Sequence, residues 1–291
     1  MPFTLSSPKT LLGAALALAA LSSQAVTLVG LTSSNQVARI DTSNVAAATS
    51  TAISGLDAGD RFVGIDLRPG NNTIYGVTLS NKLYTLNEVT GVATFVAGLS
   101  SSIVNPSLGY GIDFNPAADF SGAASLRFVS SAGDNYAINA NTGAVTVATS
   151  IAAGFSGVGY TNSKPNPTSA PAAPSLYYIN SSGDSLAVAT SAFNNPTIST
   201  VGSLGVDVLR ANGFEVLADG SAYAGLNVDG SSLTSGIYRI NLATGAATSV
   251  GTFNGTLSGL TVSAVPEPQT YALMMAGLGL VGVMAKRRKS A

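Results

Sequence analysis

Three stretches of this 291-residue chain align without gaps: Tyr84-Thr-Leu-Asn87-Glu-Val-Thr90-Gly91, Tyr136-Ala-Ile-Asn139-Ala-Asn-Thr142-Gly143 and Tyr238-Arg-Ile-Asn241-Leu-Ala-Thr244-Gly245. Each is followed by a short β-branched run. An alternating strand, an Asn that can bond its own backbone and a Gly free to take positive φ together predict a hairpin. Weaker copies lie at Ala38-Arg-Ile-Asp41 and Leu186-Ala-Val188, and taking residues 38, 84, 136, 186 and 238 as equivalent gives steps of 46, 52, 50 and 52. A chain that repeats itself at this interval folds as stacked or radially arranged copies of one unit.

A second series runs out of phase with the first: Gly64-Ile-Asp66-Leu, Gly111-Ile-Asp113-Phe, Gly157-Val-Gly159-Tyr, Gly213-Phe-Glu215-Val and Gly259-Leu-Thr261-Val. Between the two lies a further apolar strand in each copy, at Thr73 to Val77, Ser125 to Val129, Leu176 to Ile179 and Ala222 to Leu226. Four strands per unit of forty to fifty residues is the pattern of a propeller blade. The first unit begins at Val26 without a Gly-led strand, and the body ends with a spare one at 257–262. The expectation is an all-β, five-bladed β-propeller closed by pairing of strand 257–262 with the N-terminal blade, the Gly-led strand of each blade nearest the axis. Long insertions at Asn115 to Ala124 and Ser163 to Pro174 are expected as surface loops between first and second strands.

Composition agrees, with only 9% charged residues and 32 glycines. Cysteine, histidine and tryptophan are absent. Ser-His and Cys-His nucleophile systems, thiolate chemistry and the usual zinc sites are therefore excluded.

The two ends carry addresses. Lys9 precedes an apolar stretch from Leu11 to Leu21 and then Ser23-Gln24-Ala25, which predicts a secretory signal peptide over 1–25 cleaved after Ala25. At the other end, over 265–291, Pro266-Glu267-Pro268 precedes an apolar run over 271–285 and a basic tail of Lys286, Arg287, Arg288 and Lys289. Fifteen helical residues reach roughly 22 Å, short of a hydrocarbon core of about 30 Å. A transient insertion through 271–285 suits that length better than a permanent anchor, with the basic end held on the cytoplasmic side. Helical signals are thus expected at both ends, leaving 26–264 as the body. Removing Lys9, the four basic tail residues and Glu267 leaves 8 basic and 13 acidic residues, which argues against nucleic acid as a partner.

The order Pro-Glu-Pro, short apolar segment, basic end resembles the PEP-CTERM sorting signal. That resemblance implies recognition and removal of the tail by an exosortase at the membrane, after signal peptidase has acted at the other end. It also implies a Gram-negative host that makes an exported polysaccharide matrix. The body, through Thr27-Leu-Val-Gly-Leu31, Val63-Gly-Ile-Asp-Leu-Arg-Pro69, Gly111-Ile-Asp-Phe-Asn-Pro116 and the Asn-x-x-Thr-Gly turns, resembles an uncharacterised domain-of-unknown-function family of exported bacterial proteins.

One constellation bears on chemistry: the third position of the Gly-led series, Asp66, Asp113, Gly159, Glu215 and Thr261. Equivalent positions in a closed ring converge on the axis. Asp66, Asp113 and Glu215 could serve there as an acid/base set or, as hard oxygen ligands, hold Ca²⁺. Alternatively, each accepts backbone hydrogen bonds from the next blade. The lack of tryptophan weakens a sugar-cleaving site, and Tyr84, Tyr136 and Tyr238 are read as blade packing. No cofactor is required. The expected function is a non-enzymatic surface or extracellular-matrix module, sorted by exosortase and associated with exopolysaccharide, biofilm or surface proteins. The alternative is a glycan-active hydrolase or lyase using the three carboxylates.

Overall fold

The structure is a computed structural model, which describes residues 25–209, 213–231 and 233–265. Blade I holds β1 (Thr27–Thr32), β2 (Gln36–Asp41) and β3 (Thr49–Ala52). Blade II holds β4 (Phe62–Arg68), β5 (Thr73–Thr78), β6 (Lys82–Leu86) and β7 (Ala93–Gly98). Blade III follows with β8 (Tyr110–Phe114), helix α1 (Pro116–Phe120), β9 (Ser125–Ser130), β10 (Asn135–Asn139) and β11 (Val145–Val147). Blade IV is β12 (Phe155–Tyr160), β13 (Leu176–Asn180), β14 (Ser185–Ala189) and β15 (Ser199–Ser203). Blade V is β16 (Gly213–Val216), β17 (Ala222–Leu226), β18 (Thr234–Ile240) and β19 (Ala247–Asn254), and β20 (Leu257–Val262) returns to blade I.

Each blade is a four-stranded antiparallel sheet, and blade I has the order β20-β1-β2-β3. β20 pairs with β1 from Leu28↔Val262 to Thr32↔Leu257, the closure expected from the spare strand. The all-β, five-bladed reading therefore holds. The expected helical signals are outside the described residues: the leader ahead of Ala25, the Pro266-Glu267-Pro268 motif, the run 271–285 and the basic residues 286–289. Among the described residues no helix is long and apolar enough to cross a membrane.

The innermost strands are β20, β4, β8, β12 and β16, and each touches the next around the axis. They can approach closely because each carries a glycine, at 64, 111, 157, 213 and 259, where it faces its neighbour. A Cβ on Gly111 would come within 2.8 Å of Val158 N, and one on Gly213 within 2.4 Å of Leu260 N. The apolar core is divided into five clusters, one at each seam between blades. Val29, Leu31 and Val37 of blade I pack on Phe62, Ile65 and Tyr84 of blade II, for example. Leu28 and Ile40 pack on Tyr223 and Ile237 across the seam that the chain ends close. Burial of this apolar surface between sheets is the main driving force for closing the ring.

The Thr-Gly turns also act between blades. Gly143 has φ +73, and a Cβ there would lie 2.2 Å from the Gly98 carbonyl oxygen at the end of β7. Gly91 meets the Ala52 carbonyl of blade I in the same way, and Gly245 meets Gly202 of blade IV. Each hairpin turn thus seats its backbone on the outer strand of the preceding blade.

The insertion 115–124 differs from expectation, since it contains α1 where a loop was read. Asn115 caps the helix, its side chain accepting from Ala117 N and Ala118 N, and Pro116 occupies the first turn. From α1, Asp119 pairs with Arg68 Nε at 2.7 Å and accepts from Gly70 N, bracing blade II on blade III. The Arg68 guanidinium also lies over the Tyr75 and Phe114 rings. The insertion 163–174 is irregular, as expected.

Candidate functional site

The third residues of the five inner strands meet on the axis. Asp66 on β4, Asp113 on β8 and Glu215 on β16 each place a carboxylate oxygen within 4.8 Å of the others. Their exposures are 3%, 2% and 3%, and Thr261 on β20 is fully buried beside them. Blade IV contributes Gly159, where a Cβ would press on Val216 and Phe214, so one of the five positions carries no polar group.

Each polar member also accepts a backbone N–H from the following blade. Phe114 N donates to Asp66 Oδ2 at 2.7 Å, Tyr160 N to Asp113 Oδ1 at 3.1 Å, and Leu67 N to Thr261 Oγ1 at 2.9 Å. Glu215 receives a backbone bond from Val262. Four of the five seams are therefore pinned at the axis by a side chain reaching across to the neighbouring backbone. Twist splays adjacent blades, so these donors have no strand partner at the seam.

Thr261 Oγ1 lies 2.9 Å from Asp66 Oδ1 and 2.8 Å from Glu215 Oε2. A hydroxyl has one proton to give, so one of those contacts needs a carboxyl that carries its own proton. The electrostatics agree. Burial pushes the Asp66 carboxyl up to about 7, against the opposing pull of the Phe114 N–H and the Thr261 hydroxyl. Burial also raises Asp113 well above the carboxylate range, with the charges of Asp66 and Glu215 adding to it. Glu215 is raised in the same way, first by burial and then by Asp66. Among the described residues the ion pairs are Arg39–Glu88, Arg68–Asp119 and Lys82–Asp57, none of them with an axial acid. Like charges at this separation cannot all ionise in a dry site, so the ring shares protons as a carboxyl dyad does.

Three carboxyls and a hydroxyl are also hard oxygen donors, and four such oxygens could form part of the six to eight that Ca²⁺ takes. Access is the constraint on any larger guest. Two residues earlier on the same strands, around Gly64, Gly111 and Gly213, the axis holds a cavity of about 10 Å³. That volume admits about one water and no sugar ring.

The sequence placed Asp66, Asp113 and Glu215 in equivalent positions, and the structure brings all three together. Thr261 was in that series, but its bridging role depends on its hydroxyl touching two carboxyls from other blades. Tyr84 packs edge-on against Phe62 and Phe95, and Tyr136 leans on Phe128. Tyr238 covers Gly236, whose Cβ position lies 2.3 Å from the ring. Each is blade packing.

Comparison with solved structures finds likenesses of low identity. Regucalcin from Agrobacterium tumefaciens, a calcium-binding protein, is 12% identical with a TM-score of 0.41 over 76% of this chain and 68% of that one. A putative 6-phosphogluconolactonase from Bacteroides uniformis is 10% identical with a TM-score of 0.41, covering 80% and 84%. A protein of unknown function from Bacteroides thetaiotaomicron is 14% identical with a TM-score of 0.47, covering 82% and 60%. At these scores the likenesses carry no argument about this chain. No curated protein sequence matches the chain. Residues 264–289 match the PEP-CTERM protein-sorting motif, which marks the chain for export and for processing by an exosortase. Residues 36–261 match the domain of unknown function DUF4394, and with that match spanning most of its length the chain belongs to the DUF4394 family.

Proposed function

We propose that the processed protein is a non-enzymatic propeller that works at the cell surface or in the extracellular matrix, binding or structuring exopolysaccharide or other surface proteins. The sorting motif supplies the route, and the closed axis carries the reading. The three carboxyls that could do acid/base chemistry are 2–3% exposed, tied to neighbouring backbones and adjoined by a cavity of about 10 Å³. Their raised proton affinities, which elsewhere mark catalytic acids, follow here from burial and mutual repulsion. The body also lacks tryptophan, which weakens the sugar-cleaving reading.

The hydrolase reading retains one favourable observation, the convergence of three carboxyls within 4.8 Å. Incubating the secreted protein with exopolysaccharide separates the two. Retention on the polymer with no release of oligosaccharide is expected. Release that disappears in Asp113→Asn would overturn the proposal and install the axial acids as catalysts.

A further inference from the structure

The Asn-x-x-Thr-Gly turn is nearly the same in blades II, III and V, but the residue after its Asn is Glu88, Ala140 and Leu242 respectively. Ala140 is buried in the apolar core, and Leu242 packs against it. Glu88 is 4% exposed at the equivalent place, and its partners are the residues that follow the last strand. Glu88 Oε1 accepts from Ala264 N at 2.8 Å and Val265 N at 3.2 Å, while Oε2 accepts from Ser263 Oγ at 2.8 Å. Arg39 Nε lies 3.3 Å from Oε2, as an ion pair without hydrogen-bond alignment. Asn72 Nδ2 donates to Ala264 O at 2.8 Å, and Ser263 N donates to Thr27 O at 3.0 Å. The three residues between β20 and Pro266 are thus fastened to blade II by a side chain that the other two copies of the turn lack.

We propose that Glu88, with Asn72 and Arg39, is a positioning clamp for the sorting reaction: it holds residues 263–265 on the propeller so that exosortase can cut only beyond Val265. A processing enzyme acts on extended chain that has left its fold, and its rate on a fastened segment follows the population in which that segment has opened. Hydrogen bonds to a carboxylate are each worth about tenfold or more in such an equilibrium. The bonds on either side of Ala264 are therefore shielded, while Pro266-Glu267-Pro268 begins directly after the last clamped residue. The propeller itself sets where its tail begins, and Glu88 acts through the strap without touching the bond that is cut.

The inference rests on exosortase processing of the full chain and is independent of what the mature protein binds. Its test is the intact mass of the processed protein from an exosortase-bearing host, for wild type, Glu88→Gln, Glu88→Ala and Glu88→Leu. Alanine and leucine are the residues of blades III and V, so both variants keep a side chain this turn already accommodates. Glutamine keeps an acceptor for Ala264 and Val265 and restores the clamp. Wild type and Glu88→Gln are expected to give one C-terminus, at or beyond Val265. Glu88→Ala and Glu88→Leu are expected to give mixed ends that include cuts before Val265, rising at least about tenfold over wild type. A purely structural role would lower the melting temperature of the alanine and leucine proteins and leave the end unchanged. That result, in either variant shown folded by circular dichroism, would overturn the proposal, as would a wild-type end upstream of Val265.

Discussion

Glu88 and the axial acids are buried to the same degree, yet their surroundings differ in kind. Glu88 faces Arg39 of β2 and, from the residues that follow the closing strand, two backbone N–H groups and a hydroxyl. Asp66, Asp113 and Glu215 face one another, with one backbone donor each from the next blade and a single hydroxyl shared between two of them. An acid surrounded by acids in a dry site must keep a proton. The first arrangement fastens a segment at the rim. The second makes the middle of the ring dependent on pH.

Breaking the axial arrangement should have the largest effect. Asp66→Ala leaves Phe114 N–H without its acceptor and the Thr261 hydroxyl with one partner fewer, and should cost about 3 to 5 kcal/mol in urea unfolding at pH 5. Asp66→Asn, which keeps the shape and an acceptor, should cost far less.

The pH profile comes next. The folded state holds the Asp66 proton up to about 7, while the unfolded chain releases it near the ordinary carboxylate value. The folded state then binds more protons across that interval, so stability must fall as pH rises from about 4 to about 7. The slope is at most about 1.4 kcal/mol per pH unit for each such group. Asp66→Asn should flatten the curve. If wild-type stability instead rises over this range, the proton-sharing account fails. Adding Ca²⁺ at pH 8 sharpens the point: an unchanged melting temperature fits protons as the neutralising agents, and a concentration-dependent rise would replace them with the metal.

Gly143→Ala should cost about 2 kcal/mol or more, because the new methyl adds a clash with the preceding blade to the strain of positive φ. Gly59 has a similar φ of +80 with nothing within 4 Å, so Gly59→Ala isolates the strain and should cost about 1 kcal/mol. Equal losses at the two glycines would remove the turn-on-blade contact from the account. The smallest change is at the rim, where Ser263→Ala removes one hydroxyl bond to Glu88 and should lower stability by about 1 kcal/mol.

The ring was legible because each strand class recurs at a similar spacing. The meeting of Asp66, Asp113 and Glu215 followed from their equivalent places in that series. What escaped the sequence is what depends on contact between blades. Thr261 and Asp66 are 195 residues apart, and only their 2.9 Å separation reveals the hydrogen bond between them. The turn glycines were assigned to positive φ, but Gly143 is also glycine because the Gly98 carbonyl sits where its Cβ would be. Asn115 to Ala124 was read as a loop, although Asn115 and Pro116 serve as an N-cap and first helical residue. Glu88 was not singled out in the sequence, because its partners lie beyond the last strand.

The pairing of β20 with β1 has a consequence for translocation. A chain exported amino end first has β1 outside while β20 is still inside or in the membrane, so blade I cannot be finished until almost the whole body has crossed. Until then the apolar faces of Leu28 and Ile40 have no partner from Leu257 and Leu260. Completion is a contact between residues more than two hundred apart, the slowest class of pairing to form. A chain truncated just before residue 257 would remain an open ring with an unpaired edge, a substrate for proteases and for its own copies.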